Sequence, residues 1–368
     1  MSPTLVIILV GCLVATSCAL IGSFLVLRRM ALLGDAVSHA VLPGIAIAFL
    51  LTGQRSALPM VLGAGALGVV TVFLVGVLDR SRRIHSDASI GVVFPALFSI
   101  GVILISRFAS QIDLDLDCVL YGEIAFAPWN TLTLAGHSLG PKALWVMGVV
   151  LVLDTALVIG FWKELKLSTF DPELSASAGF SPVLLHYLLM SAVSVTVVGA
   201  FESVGAILVV AMLVVPPAAA YLLTESLGRM IAIAIAIGIG AAVSGYAFAH
   251  WYDCSIAGGM AVATGALFLI ALLASPHHGL IHRALTHRRL ALRLSGQLLL
   301  LHLKHGGAAV SREAIERRFG WSDRQLRRVL DALTRGGFVE ISADGVRLTQ
   351  TGALEIERSG AAPLVHGS

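Results

Sequence analysis

The feature that most constrains this sequence is a series of nine long, mainly apolar runs within residues 1–282. Each run has about 19–24 residues, enough for an α-helix to cross roughly 30 Å of hydrocarbon. Only 13% of the 368 residues are charged, against about 25% in soluble domains. We therefore predict an all-α polytopic membrane protein with nine transmembrane helices, and exclude a secreted, disulfide-stapled or disordered chain. The nine runs are Thr4–Leu27, Met30–Thr52, Ala57–Leu78, Ala88–Ser106, Ala143–Trp162, Pro182–Ala200, Ser203–Leu223, Met230–Ala249 and Ile256–Ala274.

Charge divides the chain into two predicted domains. Residues 1–282 hold 11 Lys and Arg and 14 Asp and Glu, a net charge of 11 − 14 = −3. Residues 283–368 hold 14 and 8, a net charge of 14 − 8 = +6. We predict a transmembrane domain over 1–282 and a cytoplasmic basic domain over 283–368.

The loops between the runs alternate in positive charge. One side of the membrane receives eight Lys and Arg and the other only three, so the positive-inside rule places the first set in the cytoplasm. This orientation predicts an N-terminus outside and a C-terminus inside. The inner set is Arg28, Arg29, Arg80, Arg82, Arg83, Lys163, Lys166 and Arg229, and the outer set is Arg55, Arg107 and Lys142.

Two ionisable residues in the second run form the first candidate site. Asp35 and His39 are four residues apart in MALLGDAVSHAVLPGIAIAFL, so a helix presents them on one face. A carboxylate and an imidazole suit manganese, iron or zinc better than calcium or magnesium. Pro43, one turn further on, leaves a backbone carbonyl free as another candidate ligand. A helix-packing ion pair is the alternative, and the residues alone leave both open.

Two other acidic residues are candidate pathway groups. Asp154 lies near the middle of its run, too deep to reach the membrane surface, and is either a pathway group or a helix-packing partner. Glu202 lies between the sixth and seventh runs, where we expect a solvated residue of an outer turn.

Two connections are longer than a simple turn. The inner one, residues 163–181, contains Asp171, Pro172 and Glu173 after Ser168 or Thr169, which is typical of a helix start, and Gly179 is typical of a helix end. A short cytoplasmic helix is not needed to cross a membrane, so we expect it to contact a cytoplasmic partner. The outer connection, residues 107–142, carries four acidic residues and is expected to be a solvated loop or a docking rim.

Four segments together resemble the permease subunits of ATP-binding-cassette importers for manganese, zinc and iron. They read GDAVSHAVLPGIAIAF, SDASIGVVFPALFSIGVILIS, DLDLDCVLYGEIAF and VGAILVVAMLVVPPAAAYLL. The resemblance covers about residues 5–280, and the first segment is the most specific. It implies a permease in the bacterial cytoplasmic (inner) membrane that dimerises with a second copy or a homologue. It also implies cytoplasmic ATP-binding subunits and an extracytoplasmic metal-binding protein as partners.

The same resemblance assigns roles to individual residues. Asp35 and His39 fall on the acidic and imidazole positions of the metal path, and Asp171–Gly179 falls where such permeases place the helix that couples them to the ATPase. Glu202 departs from the small apolar residue expected there and receives no family role. The chain has no GxxxxGK[ST] phosphate-binding loop, so we expect a transport subunit rather than an enzyme. We expect no permanent cofactor, only the transported divalent metal.

The basic C-terminal part has the order of a winged helix-turn-helix domain and resembles metal-dependent repressors. A buried helix in residues 292–303 is followed by a helix capped by Ser311, a helix opened by a capping box of Ser322 and Gln325, and a hairpin around Asp344-Gly345. Arg324, Arg327 and Arg328 would line its recognition helix. Specific DNA binding is nevertheless unfavourable so near an anionic membrane, and we expect this domain to regulate transport. His277, His278 and His282 in the linker are candidates for capture of metal in the cytoplasm.

Two further functions stay open from the sequence. One is a membrane-anchored, metal-responsive regulator, although an anchor needs only one or two spans. The other is a permease for a metal chelate, which would not need the Asp35–His39 pair. Transport of a free divalent metal accounts best for both the spans and the embedded pair.

Overall fold

The computed structural model describes residues 2–52, 57–80, 86–108, 124–134, 137–275, 279, 292, 294–305, 310–342 and 345–360. The chain divides into two compact units, Met1–Gly279 and Leu280–Ser368. The first is almost entirely helical, and the second is a small mixed α and β unit.

The first unit contains eleven α-helices among its described residues. They are α1 (Pro3–Leu27), α2 (Leu32–Thr52), α3 (Ala57–Arg80), α4 (Ser86–Phe108), α5 (Lys142–Gly160), α6 (Trp162–Phe170), α7 (Pro172–Ser177), α8 (Pro182–Val204), α9 (Ala206–Leu223), α10 (Leu227–Tyr252) and α11 (Ile256–Ala274).

Seven helices of the described chain are long and apolar enough to cross a membrane by length and composition. These are α1, the stretch Ala88–Arg107 of α4, α5, α8, α9, α10 and α11. The predicted runs in α2 and α3 also form helices. Their membrane crossing, and with it the total of nine spans, stays a prediction.

Helix α1 lies at the centre of the bundle. Two thirds of its most apolar window is buried, the largest share among the seven, and it contacts α5, α8, α9 and α10. Gly22 lets it approach α9 closely, because a Cβ at this position would lie 1.9 Å from the carbonyl oxygen of Leu213. Gly245 plays the same part between α10 and α11, where a Cβ would lie 2.3 Å from the Cα of Met260. Such close backbone approach at small residues is how apolar helices associate in lipid.

Helix α2, which carries Asp35 and His39, packs against α3 and α4. Gly44 faces Gly63 of α3 so closely that a Cβ on either residue would lie within 2.6 Å of the other's carbonyl oxygen. On another side, Pro43 sits against Gly101 of α4. These glycines fix how α2 is held between its neighbours.

The outer connection between α4 and α5 contains structure that the sequence analysis missed. A 3-10 turn spans Ile124–Phe126, and strands β1 (Thr131–Leu134) and β2 (His137–Pro141) form an antiparallel hairpin. Lys142, the first residue of α5, donates its backbone N–H to Asn130 across the base of this hairpin. The acidic residues Asp113, Asp115, Asp117 and Glu123 lie outside the described residues.

In its described residues the second unit contains three helices and one hairpin in the predicted order, followed by a helix that the sequence analysis did not predict. They are α12 (residues 294–305), α13 (Arg312–Phe319), α14 (Asp323–Arg335), β3 (Val339–Ser342), β4 (Gly345–Leu348) and α15 (Gln350–Gly360).

The two predicted helix caps of this unit differ in outcome. Ser311 caps α13 as predicted, since its Oγ accepts the Ala314 N–H at 3.3 Å. Ser322 stands at the N-cap position of α14, but its hydroxyl accepts no capping hydrogen bond. The predicted capping box with Gln325 is therefore wrong: the Gln325 N–H bonds the Ser322 backbone carbonyl instead.

One backbone pairing ties the hairpin of the second unit to its helices. Val310, just before α13, pairs with Val346 in β4. A small core of Leu and Val from α12, α14 and the hairpin holds these elements together. Assignment of this unit as a winged helix stays a prediction.

Candidate metal path and coupling segment

Asp35 and His39 lie one turn apart on α2, as the spacing predicts. The His39 Nε2 is 3.5 Å from the Asp35 Oδ1, and the two side chains keep 30% and 46% of their surface exposed. The pair is therefore open on one side instead of being closed inside a packed helix contact. One oxygen and one nitrogen are donor types that manganese, iron and zinc accept.

The separation of these two atoms suits a shared metal ion. With metal–ligand bonds of about 2.1 Å, atoms 3.5 Å apart subtend an angle of about 113° at the metal. A tetrahedral arrangement needs about 109°, so this separation matches the distance between two ligands of one tetrahedral cation. An octahedral ion would draw the two atoms a few tenths of an ångström closer.

Aromatic rings from α4 fix the imidazole. The centroid of Phe94 lies 5.0 Å from that of His39, and Phe98 presents its edge at 5.9 Å. Such ring contacts are stabilising. They limit the rotamers of His39 and leave its nitrogens for Asp35 and for a ligand.

Asp154 occupies a different environment on α5. It is only 2% exposed, and the Thr196 hydroxyl of α8 lies 2.8 Å from its Oδ2. The same hydroxyl lies 2.8 Å from the carbonyl oxygen of Ala192 in its own helix. Thr196 thus connects two helices, and this geometry favours Asp154 as a helix-packing partner over a pathway group.

Glu202 is not in a turn as expected. Helix α8 continues to Val204 and ends at Gly205, whose φ of 83° is left-handed, so Glu202 belongs to the last turn of α8. Its carboxylate pairs with Lys142 at the start of α5. The predicted break after Ala200 was wrong because residues 201–204 are still helical, and only the glycine permits the chain to reverse.

The inner connection forms two short helices in place of one. Asp171 caps α7 by accepting the Leu174 N–H at 2.9 Å, Pro172 occupies its first turn, and Gly179 follows it with a φ of 87°. The part of the predicted helix start given to Ser168 or Thr169 is wrong, because both residues lie in the last turn of the preceding helix α6 and Asp171 alone is the cap. We call Trp162–Gly179 the coupling segment.

The coupling segment presents a mixed surface. Phe170 and Leu174 keep 57% and 53% of their surface exposed, and Phe180, the next residue after the segment, keeps 39%. Pro172 and Glu173 are exposed as well. Exposed apolar side chains next to a capped helix are typical of a protein contact surface.

An arginine at the end of α1 holds this segment. The Arg28 Nε donates to the Thr169 Oγ1 at 3.1 Å, and its Nη2 donates to the Ser168 Oγ at 2.8 Å. The sequence analysis counted Arg28 only as a topological charge. The sequence did not indicate that the hydroxyls of Ser168 and Thr169 bind Arg28. Serine and threonine are common in helices, and Arg28 is 140 and 141 residues away along the chain.

The remaining predicted site residues lie beyond the structure's description. His277, His278 and His282 are outside the described residues. Within the part of the chain that the structure describes, no group of three or more His, Cys, Asp or Glu side chains is arranged to hold a metal ion.

Comparison with known proteins places these observations in a family. Residues 3–275 match the family described as the ABC 3 transport family. The chain is 50% identical to the manganese transport system membrane protein MntD of Bacillus subtilis, over 76% of this chain and 94% of that protein. It is 42% identical to the zinc transport system membrane protein TroD of Treponema pallidum, over 94% of this chain and 98% of that protein. The TroD match therefore extends into the second unit, whereas the family match ends before it.

A solved structure agrees with the fold of the first unit. The chain resembles a chain of PsaBC from Streptococcus pneumoniae, solved in complex with Fab, with a TM-score of 0.63 and 28% sequence identity. The match covers 78% of this chain and 96% of that chain. By the extent of the family match and its identity to these relatives, this chain belongs to the ABC 3 transport family.

Proposed function

We propose that this protein is the membrane permease subunit of an ATP-binding-cassette importer that moves a divalent transition metal into the cytoplasm. The observation that carries the proposal is the open Asp35–His39 pair on α2, whose atoms stand at a separation that one metal ion can bridge. Family membership supports the same function, because the similar MntD and TroD are named as manganese and zinc transport proteins.

Manganese is the first choice of cargo, with iron and zinc as alternatives. One carboxylate and one imidazole form a mixed donor set that all three ions accept. The identity of 50% to a manganese transport protein over 279 residues supports manganese.

The energy for transport comes from separate ATP-binding subunits, because this sequence has no phosphate-binding loop. We assign the coupling segment, with Asp171, Pro172, Glu173 and Gly179, to the contact with them. An extracytoplasmic metal-binding protein delivers the cargo, and a second permease copy or homologue completes the path. The loop charges support an N-terminus outside and the coupling segment inside.

Isosteric substitution tests the metal pair. Asp35→Asn and His39→Gln keep the size of each side chain and remove the charge or the imidazole, so each should reduce manganese uptake by intact cells to the background level. Glu225→Gln and His250→Gln are the controls, since both residues are exposed, Glu225 in the turn between α9 and α10 and His250 in the last turn of α10. Uptake of radioactive manganese is measured at equal amounts of membrane-inserted protein.

The outcome separates the alternatives. Normal manganese uptake by both α2 variants would refute the ligand assignment. Uptake of a chelate complex that is unaffected by either variant would favour a chelate permease. Wild-type protein that moves no metal with its ATPase present, yet changes gene expression with metal, would favour the anchored regulator.

The coupling assignment has its own test. Reversal of charge at Glu173, or deletion of residues 171–179, should uncouple ATP hydrolysis from transport and leave membrane insertion intact. The exposed position of α7 supports this, because its loss removes contact surface without opening the helix bundle. Recovery of the ATPase by the deletion variant at the wild-type yield would contradict the assignment.

For residues 283–368 we propose a winged-helix domain that regulates transport. The order of helices and hairpin supports this assignment. The TroD alignment covers 94% of this chain, so that relative has a similar C-terminal part. Truncation after Pro276 should leave an inserted permease whose transport no longer responds normally to cytoplasmic metal. A specific, salt-resistant shift of a defined DNA duplex by the detergent-solubilised full-length protein would overturn it, whereas weak, salt-labile binding is expected of any basic surface.

A further inference from the structure

The end of α1 is fastened to the coupling segment by one side chain. Arg28 follows the last residue of α1 and is half-buried, and within the described residues no carboxylate lies in salt-bridge range of its guanidinium. Its contacts are the two hydroxyls of α6, reached by different nitrogens of the same planar group. A guanidinium that donates to two neighbouring residues fixes both distance and orientation.

The two hydroxyls are well placed as acceptors. Thr169 donates its own proton to the carbonyl oxygen of Leu165 at 2.7 Å, and Ser168 lies 3.3 Å from the same oxygen. Because each hydroxyl has one proton but two lone pairs, this leaves lone pairs free for Arg28. The last turn of α6 therefore receives the arginine without giving up its internal hydrogen bonds.

The contact lies one short step from α7. Thr169 and Phe170 end α6, and Asp171 alone separates that helix from α7. Any displacement of α7 by a bound partner must therefore move the hydroxyls that hold Arg28.

The other side of Arg28 leads directly to the metal pair. Residues 28–31 form the whole connection between α1 and α2, and Arg29 takes a left-handed φ of 57° within it. The turn is closed by backbone bonds from Arg29 to Val26 and from Met30 to Leu25. Asp35 already lies in the first turn of α2. A turn so short and so fully bonded transmits a displacement rather than absorbing it.

We propose that Arg28 is a positioning residue that links movement of the coupling segment to the orientation of the Asp35–His39 pair. Displacement of α6 and α7 by the ATPase pulls the guanidinium, shifts the turn at residues 28–31 and re-aims the first turns of α2. The inference rests on the proposed function, because it requires both a metal path and a cytoplasmic ATPase.

The test measures metal moved per ATP hydrolysed by the full transporter in proteoliposomes. Arg28→Met keeps the apolar stem and removes every donor. Its matched control is Arg29→Met, which removes the same charge from the same loop but at an exposed residue. We expect the first variant to bind the ATPase and hydrolyse ATP normally while the metal-to-ATP ratio falls about tenfold, which corresponds to ~1.4 kcal/mol of lost coupling. The control keeps the wild-type ratio.

Removal of the acceptors tests the same link from its other end. Ser168→Ala combined with Thr169→Val should lower the ratio to a similar extent, and adding Arg28→Met should lower it no further, because both changes remove one contact. If Arg28→Met does not assemble, the double variant and Arg28→Lys provide the measurement. Arg28→Lys keeps one donor group, so its metal-to-ATP ratio should lie between those of the wild type and the double variant.

The possible results separate the two proposals. An unchanged ratio in both Arg28→Met and the double variant would overturn the link and leave the transport function intact. Equal loss of ATP hydrolysis and transport would also overturn it, since that result indicates a merely structural role. Absence of metal transport by the wild-type complex would instead refute the proposed function.

Discussion

Substitution of Thr196 and substitution of Asp154 should lower the stability of the protein by different amounts. Thr196→Val removes a hydroxyl with almost no change of shape, yet it leaves the 2% exposed carboxyl of Asp154 without its hydrogen bond. Asp154→Leu has a milder polar consequence, because the Thr196 hydroxyl keeps the Ala192 carbonyl as a partner. An unsatisfied buried polar group costs about 1–3 kcal/mol. The free energy of unfolding of Thr196→Val should therefore be lower than that of the wild type by this amount.

The coupling between the two residues can be measured directly. Interhelical hydrogen bonds in membrane proteins average about 0.6 kcal/mol and reach about 1.7 kcal/mol in double-mutant cycles. We expect Asp154→Leu with Thr196→Val to be less destabilising than the sum of the single variants by an amount in this range. The assay is reversible unfolding in mixed micelles, followed by the fluorescence of the five tryptophans.

Metal uptake by the variant Asp154→Asn distinguishes a helix-packing role of Asp154 from a role as a pathway group. An amide has the size of the carboxyl and can also accept the Thr196 hydrogen bond. If Asp154 only packs helices together, Asp154→Asn should therefore keep most of the protein's stability and its metal uptake. Two results together would refute the reasoning and return Asp154 to the metal path. They are abolished uptake in Asp154→Asn and a stability of Thr196→Val that differs from the wild type by less than about 0.5 kcal/mol, the range of an ordinary surface substitution.

Three further predictions follow from the packing and the surface. Gly22→Ala should lower the free energy of unfolding by about 1–3 kcal/mol, because the added Cβ would meet a backbone oxygen of α9. The control is Gly65→Ala, which should be neutral in the same unfolding assay because the added Cβ would lie in open space. Glu202→Gln should change stability by no more than about 1 kcal/mol, since its pair with Lys142 is partly exposed, and thermal melts should show that the difference shrinks as salt is raised. Leu174→Ala should weaken capture of the ATPase in a pull-down by at least about tenfold if the exposed leucine is an interface anchor, and equal capture would remove it from the contact.

The sequence was most informative where one physical requirement acts locally. Long apolar runs must become helices in lipid, because their backbone polar groups have no other partner. The order Asp171-Pro172 predicts the start of α7, since an oxygen acceptor and a fixed φ act within one turn. The spacing of Asp35 and His39 likewise places them on one face before any tertiary contact exists.

Partners contributed by distant helices could not be predicted in this way. Thr196 lies 42 residues from Asp154, and nothing in an apolar run distinguishes the one hydroxyl that faces a carboxyl on another helix. The hairpin after α4 was missed because its strands have only four and five residues, too few for their pattern to stand out from a loop sequence. At Ser322 the local motif was present, but the backbone carbonyl of the serine, rather than its hydroxyl, receives the Gln325 N–H.

The central place of α1 has a consequence for how the protein is made. This helix precedes the other six in the sequence and has the highest mean hydropathy of the seven, 2.6, yet it ends at Leu27 and its partner α10 begins only at Leu227. At the usual pace of translation, about 10–40 s pass before that partner emerges from the ribosome. Until then α1 is surrounded by lipid instead of that partner. Lipid tolerates it because none of its residues is charged. A chain whose synthesis stops before α5 should therefore leave α1 inserted in the membrane without any of its four helix partners, a state that membrane quality-control proteases would meet.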